Sequence, residues 1–204
     1  MSHKRKSNRR KKRSVKPRLL ILCEGETERN YFLAMREDVD FKSKMAATNI
    51  DIATAKNSTP EQVVKEALKR ETAAKQENNE YQKIWLVFDH DNHTHRKKAY
   101  EDANRADFEV AFSSICFENW YLLHFVKTAR TFTEASKLIN ELKKHYPNYQ
   151  KAKQNDFANL KEDLDKAMNN ADWQRKQIND IGQHITDNNP WTDVDKLITY
   201  LREL

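Results

Sequence analysis

Arg18-Leu19-Leu20-Ile21-Leu22-Cys23-Glu24-Gly25 is the stretch that decides the fold. Five apolar residues follow one another from Leu19 to Cys23 with no polar alternation. Such a run fits a strand buried on both faces, and that burial belongs to a parallel sheet with helices on either side. The run stops abruptly at Glu24-Gly25. Beyond the turn, Thr27 is placed to cap a helix whose apolar residues Tyr31, Phe32 and Met35 recur at helical spacing through about Arg36.

The same pattern returns further along. Lys83-Ile84-Trp85-Leu86-Val87-Phe88 is a second apolar run ending in acids, Asp89-His90-Asp91, before a polar loop and a helical segment from Arg96 to Arg105. Between the two runs, residues 50–55 alternate weakly as a strand, and Thr59-Pro60-Glu61 starts a helix carrying Val63, Val64, Ala67 and Leu68. Residues 108–114 read as a fourth strand. Strands alternating with helices predict an α/β fold with a roughly four-stranded, mainly parallel sheet over residues 18–125, its ligands gathering at the carboxyl ends of the strands. Strand signals cease beyond Phe117, and residues 126–204 are expected to form a helical region packed on that core, with helices near 133–145, 156–170, 172–185 and 192–204 and breaks at Pro147 and Pro190.

Composition narrows the class. With 204 residues, 38% hydrophobic and 33% charged, and with two glycines and four prolines, the chain has the profile of one helix-rich domain rather than of a fibrous or wholly disordered protein. No run approaches the ~20 apolar residues of a membrane span, so no membrane partner is expected, and Leu19 to Cys23 is too short for the apolar part of a signal peptide. Cys23 and Cys116 each sit in an apolar stretch and read as buried thiols rather than a disulfide, which fits the cytoplasm.

The net charge of +6 hides an asymmetry: residues 1–18 hold ten Lys and Arg and no acid, and the remainder, with 27 basic against 31 acidic residues, is net −4. Residues 1–17 are expected to be a disordered arm whose Lys4, Arg5, Lys6, Arg9, Arg10, Lys11, Lys12 and Arg13, followed by Lys16 and Arg18, neutralise nucleic-acid phosphates. A solubilising tail or a contact to an acidic protein is the alternative.

The chemistry lies in the acids. If the two apolar strands are neighbours, Glu24, Asp89 and Asp91 converge. Three packed carboxylates repel one another unless a cation neutralises them, and Mg²⁺ or Mn²⁺ accepts such oxygens together with water and substrate phosphate. The reaction that follows is phosphodiester hydrolysis of DNA or RNA. Taken singly, each acid could merely cap a helix or end a strand.

Leu20 to Gly25 followed by a helix, then Val87-Phe88-Asp89-His90-Asp91, resembles the Glu-Gly and Asp-x-Asp motifs of Toprim domains. Together with Glu24-Gly25-Glu26-Thr27-Glu28, Tyr31-Phe32, Phe117-Glu118-Asn119-Trp120 with Leu122 to Phe125, and Asn189-Pro190 to Leu201, the chain resembles the RloB family over nearly its whole length after the arm. The resemblance implies a Toprim-like sheet, Glu24 as metal-linked acid or base, and Asp89 and Asp91 as metal ligands. It also implies a nuclease of bacterial anti-phage, abortive-infection-type defence, related to the nuclease part of OLD-like systems and accompanied by an ABC-type ATPase. A homo-oligomer stays open.

Glu118, just after the fourth strand, is a further candidate catalytic acid, and Glu28, His93 and His124 are candidate secondary residues. Glu118 could equally be a helix N-terminal carboxylate, and His124 a core histidine among Leu122, Leu123 and Phe125. His90, His93 and His95 crowd one loop at spacings that match no zinc motif. Lys97, Lys98, Lys143, Lys144, Lys151, Lys153, Arg175 and Lys176, with Tyr146, Tyr149 and Trp173, could offer phosphate contacts and stacking surfaces, or simply solvated helix faces. Two rival functions share these residues: a noncatalytic nucleic-acid- or ATPase-binding module, and a phosphatase or phosphotransferase with an aspartyl nucleophile in Asp89-His90-Asp91.

Overall fold

A computed structural model of the chain describes residues 16–57, 59–90, 94–153, 155–178 and 183–204. Lys4 to Arg13 of the basic arm, Asp91 and His93 lie outside the described residues.

Four parallel strands form the sheet, β1 (Arg18–Cys23), β2 (Asn49–Thr54), β3 (Lys83–Asp89) and β4 (Glu109–Ser114), and a two-residue β5 (Trp191–Thr192) closes one edge antiparallel to β4. The order is β2-β1-β3-β4-β5. From β1 the chain goes outward to β2 and then returns to lay β3 on β1's other flank, so the strand order reverses between β1 and β3. In open α/β sheets the crevice outside the carboxyl ends at such a reversal is where ligands bind.

Both faces of the sheet are covered, as the unbroken apolar runs require. Leu19, Ile21, Cys23, Trp85 and Val87 point to one face, which is packed by α1 (Glu26–Glu37), α2 (Val39–Met45), α5 (Glu118–Phe125) and α9 (Val194–Arg202). Leu20, Leu22, Ile84, Leu86 and Phe88 point to the other, against α3 (Pro60–Gln76) and α4 (Arg96–Arg105). Residues one apart on a strand thus feed separate cores. Outside α5 lie α6 (Ala135–His145) and α8 (Leu164–Ile178), while α7 (Asp156–Leu160) packs on α1. This α/β architecture is consistent with a Toprim-like fold.

Several local expectations change. Gly25, not Thr27, is the N-cap of α1, and Thr27 lies buried inside the first turn. Thr59 does cap α3, its hydroxyl accepting from the Gln62 N–H at 3.4 Å. A fifth strand falls beyond Phe117, where no strand was expected, because Trp191 and Thr192 find Ser114 and Ser113 as ladder partners that only the folded chain brings near. Residues 164–178 form one helix across the expected break near 171, with the break instead at a 3₁₀ turn, Lys161–Asp163. Arg18 opens β1, and its guanidinium meets Asp51 Oδ2 at 2.6 Å and lies 4.2 Å from the Tyr81 ring centroid.

No helix among the described residues is long and apolar enough to cross a membrane. Cys23 and Cys116 are both free and buried.

Candidate active site at the carboxyl ends of the strands

Glu24 is the first residue after β1 and Asp89 the last of β3. The Glu24 backbone N–H continues the sheet by donating to the Val87 carbonyl at 2.8 Å, which fixes the two strand ends side by side. The Glu24 side chain then reaches across, and its Oε2 accepts the Asp89 backbone N–H at 3.2 Å. Asp89 passes the link on, its Oδ2 accepting the Phe117 N–H at 3.3 Å just beyond β4. Three strand ends are therefore tied by two carboxylates, each 8% exposed. The predicted convergence of Glu24 and Asp89 is present in this geometry, and it sits at the strand-order reversal.

Two more acids gather there. Glu28 follows Glu24 by one helical turn and is 6% exposed, and its Oε2 has no hydrogen-bond partner among the described residues. A Cβ on Gly25 would come within 2.9 Å of that oxygen, so a side chain there would have to displace the Glu28 carboxylate. Burial pushes the Glu28 carboxyl up to about 7; the negative Glu118 adds to the rise, while local backbone N–H groups and Lys151 oppose it. Glu118 opens α5 and is 1% exposed, with its Oε1 accepting the Tyr149 hydroxyl at 2.6 Å. Burial, reinforced by Glu118, raises the Tyr149 phenol, which stays a hydrogen-bond donor. Burial also pushes the Cys116 thiol well up, with Glu118 and Asp89 adding to it, so this thiol is not a nucleophile at neutral pH.

Other predicted residues go elsewhere. His124 is fully buried at the far end of α5, its Nδ1 3.0 Å from the Trp120 carbonyl, and burial lowers it to about 4, which makes it a neutral core histidine. His90 is half-buried and its backbone N–H donates to the Ser113 carbonyl at 2.9 Å. His95 is exposed before α4, 3.8 Å from Glu61. Tyr149 is buried against Glu118 and offers no stacking surface, and Arg175 is spent on Asp195 at 2.6 Å. Lys98 and Lys176 pair with Asp102 and Asp172 on their own helices.

Tyr149 and Lys151 are the neighbours of Glu118 that local pattern did not assign to the site. They come from the segment between α6 and α7, and no local signal ties a tyrosine to an acid 31 residues away.

Among the described residues, no three His, Cys, Asp or Glu side chains are grouped closely enough to hold a metal ion, and Asp91, the third predicted ligand, lies outside them. The donors at hand are nonetheless of the right kind for a hard divalent cation: carboxylate oxygens only, one of them, Glu28 Oε2, buried without a partner.

The family model for RloB-like protein matches residues 19–201. No curated protein and no solved structure matches the chain. A match that runs from the first buried strand through α9, and so takes in Glu24, Asp89 and Glu118 alike, means that this chain belongs to the RloB-like protein family.

Proposed function

We propose that the chain is a metal-dependent phosphodiesterase that cuts nucleic acid in bacterial anti-phage defence, under the control of an ABC-type ATPase. The observation that carries the chemical part is the Glu24–Asp89 link at the strand-order reversal, 3.2 Å long and nearly buried. The defence role and the ATPase rest on membership of the family and on what the motif resemblance implies.

Glu24, Asp89 and Asp91 would hold Mg²⁺ or Mn²⁺, with Glu28 and Glu118 close behind. When bound, that ion would offset the charge of the phosphodiester and make water easier to deprotonate. The rest is the work of side chains. Glu24, oriented by the Asp89 N–H, is placed to take or return a proton at its carboxylate. The Asp89 Oδ2 accepts the Phe117 N–H, a contact that limits the reorganisation needed when substrate arrives. The basic arm would supply non-specific phosphate contacts, which DNA and RNA offer alike.

A noncatalytic nucleic-acid- or ATPase-binding module built on the same residues is the competing outcome. The two separate in one experiment. Wild type and Glu24→Gln are incubated with and without the cognate ATPase, on labelled plasmid DNA and total RNA, under Mg²⁺ and Mn²⁺. Cleavage is expected from wild type with the ATPase and is expected to vanish in EDTA and in Glu24→Gln, by a factor of at least ~10². Cleavage that survives Glu24→Gln removes Glu24 from the chemistry, and no cleavage by folded wild type in any mixture moves the assignment to the binding module.

A further inference from the structure

The segment joining α6 to α7 crosses over the carboxylate cluster and is pinned on both sides of one lysine. On one side the Tyr149 hydroxyl donates to Glu118 Oε1 at 2.6 Å, and on the other the Ala152 carbonyl accepts from Asn30 Nδ2 of α1 at 3.3 Å. Turns at Tyr146–Tyr149 (3.0 Å) and Gln150–Lys153 (3.2 Å) stiffen the path between them. Lys151 is thereby rooted firmly while its side chain stays 60% exposed.

Its ammonium lies 4.0 Å from Glu118 Oε1, beyond hydrogen-bond range, and that oxygen is already taken by Tyr149. Lys176 on Asp172 at 2.6 Å and Lys144 on Glu141 at 2.8 Å, by contrast, make direct hydrogen-bonded pairs. Lys151 is thus drawn to the acids without being consumed by them. We infer that the Lys151 ammonium is a substrate-binding group of this site, taking a non-bridging oxygen of a nucleic-acid phosphate over the carboxylate cluster. The inference rests on the nuclease reading and adds a residue to it from outside the α/β core.

The physical need is plain. Glu24, Asp89 and Glu118, with Glu28 only partly ionised near neutral pH, make an acidic floor, and a phosphodiester approaching it meets repulsion that one divalent ion does not fully cancel. A fixed point charge at the rim offsets this for any sequence, as phosphate contacts do. The ammonium keeps its proton at neutral pH: burial alone would lower it, but Glu118, Asp89, Cys116 and Glu28 together raise it.

The test uses the full chain and short fluorescein-labelled single strands of DNA and RNA. Affinity is measured in Ca²⁺ across a salt series, and turnover in Mg²⁺ with the ATPase, for wild type, Lys151→Gln, Lys151→Arg and, as a control, Lys75→Gln at the far end of α3. Lys151→Gln is expected to lower kcat/KM by about 10- to 100-fold and to reduce the slope of log affinity against log salt by about one phosphate contact. Thermal midpoints should be unchanged, Lys151→Arg should recover much of the loss, and Lys75→Gln should behave as wild type. An unchanged salt slope in Lys151→Gln overturns the inference while wild-type cleavage leaves the nuclease reading standing. A thermal midpoint that falls in step with activity also overturns it, since Lys151 is then only a counter-ion to Glu118. Wild type that neither binds nor cuts either strand overturns both.

Discussion

At the scale of single residues, the unusual group is Glu28. Its carboxyl is raised from 4.5 to about 7 by burial first and by Glu118 second. A raised acid binds its proton more tightly folded than unfolded, so its contribution is complete below pH 4.5 and is lost as pH climbs to about 7. His124 works in the opposite sense: lowered from 6.5 to about 4, it supports the fold above 6.5 and withdraws that support as pH falls toward 4. The two slopes overlap, and a comparison of variants separates them. In EDTA, Glu28→Gln should be more stable than wild type at pH 7, and the gap should close on acidification to pH 4.5, with the His124 effect common to both proteins. A gap that stays constant across this range would mean that Glu28 is not titrating there. Gly25 belongs to the same account, because the space beside it is filled by the Glu28 carboxylate.

At the scale of elements, the short strand β5 shows what stitches the C-terminal helices to the sheet. Arg175 of α8 reaches Asp195 of α9 through two parallel hydrogen bonds, Nη1 to Oδ1 at 2.6 Å and Nη2 to Oδ2 at 2.7 Å, and donates from Nη1 to the Thr192 carbonyl of β5 at 2.5 Å. Both side chains are largely buried, 13% and 10% exposed. Bidentate pairs of this kind are geometrically selective, and removing one partner strands the other. Arg175→Leu should therefore destabilise the protein by about 3 kcal/mol, read as a shift in the urea midpoint, and the double change Arg175→Leu with Asp195→Leu should recover most of the loss. If the double variant is no better than the single, the strain comes from lost packing against α8 rather than from an uncompensated carboxylate. Asn119 adds a parallel tie, donating to the Trp191 carbonyl at 3.0 Å and to Gln174 at 2.9 Å. α5, which opens with Glu118, is thus anchored to the same strand.

At the scale of the whole molecule, charge is divided between a basic N-terminal segment and an acidic body. Residues 1–15 hold eight Lys and Arg and no acid. A truncation meant to probe them has to stop before Pro17, whose carbonyl accepts from Asn49 at 2.8 Å, and must spare Arg18, which opens β1. Removing residues 1–15 should leave the thermal midpoint unchanged and flatten the salt dependence of nucleic-acid binding by several phosphate contacts, at roughly 0.7–0.9 in slope for each. Metal-dependent turnover at low salt should persist. Loss of turnover with an unchanged salt slope would assign the arm to the ATPase instead of to nucleic acid.

The sheet is legible in local pattern alone, because an unbroken apolar strand such as Leu19 to Cys23 has to be covered on both faces. The same pattern also placed Glu24 and Asp89 at strand ends, since each apolar run stops at an acid. Their adjacency is different in kind: it follows from β3 pairing with β1 rather than with β2, a long-range choice that no local window contains. The same holds for β5, whose two residues are a strand only because β4 offers an open edge. It holds as well for Tyr149 and Lys151, which reach Glu118 from a segment more than 30 residues away. Local pattern fixes which residues are buried and where strands end, whereas the company a carboxylate keeps is set by the packing of distant segments.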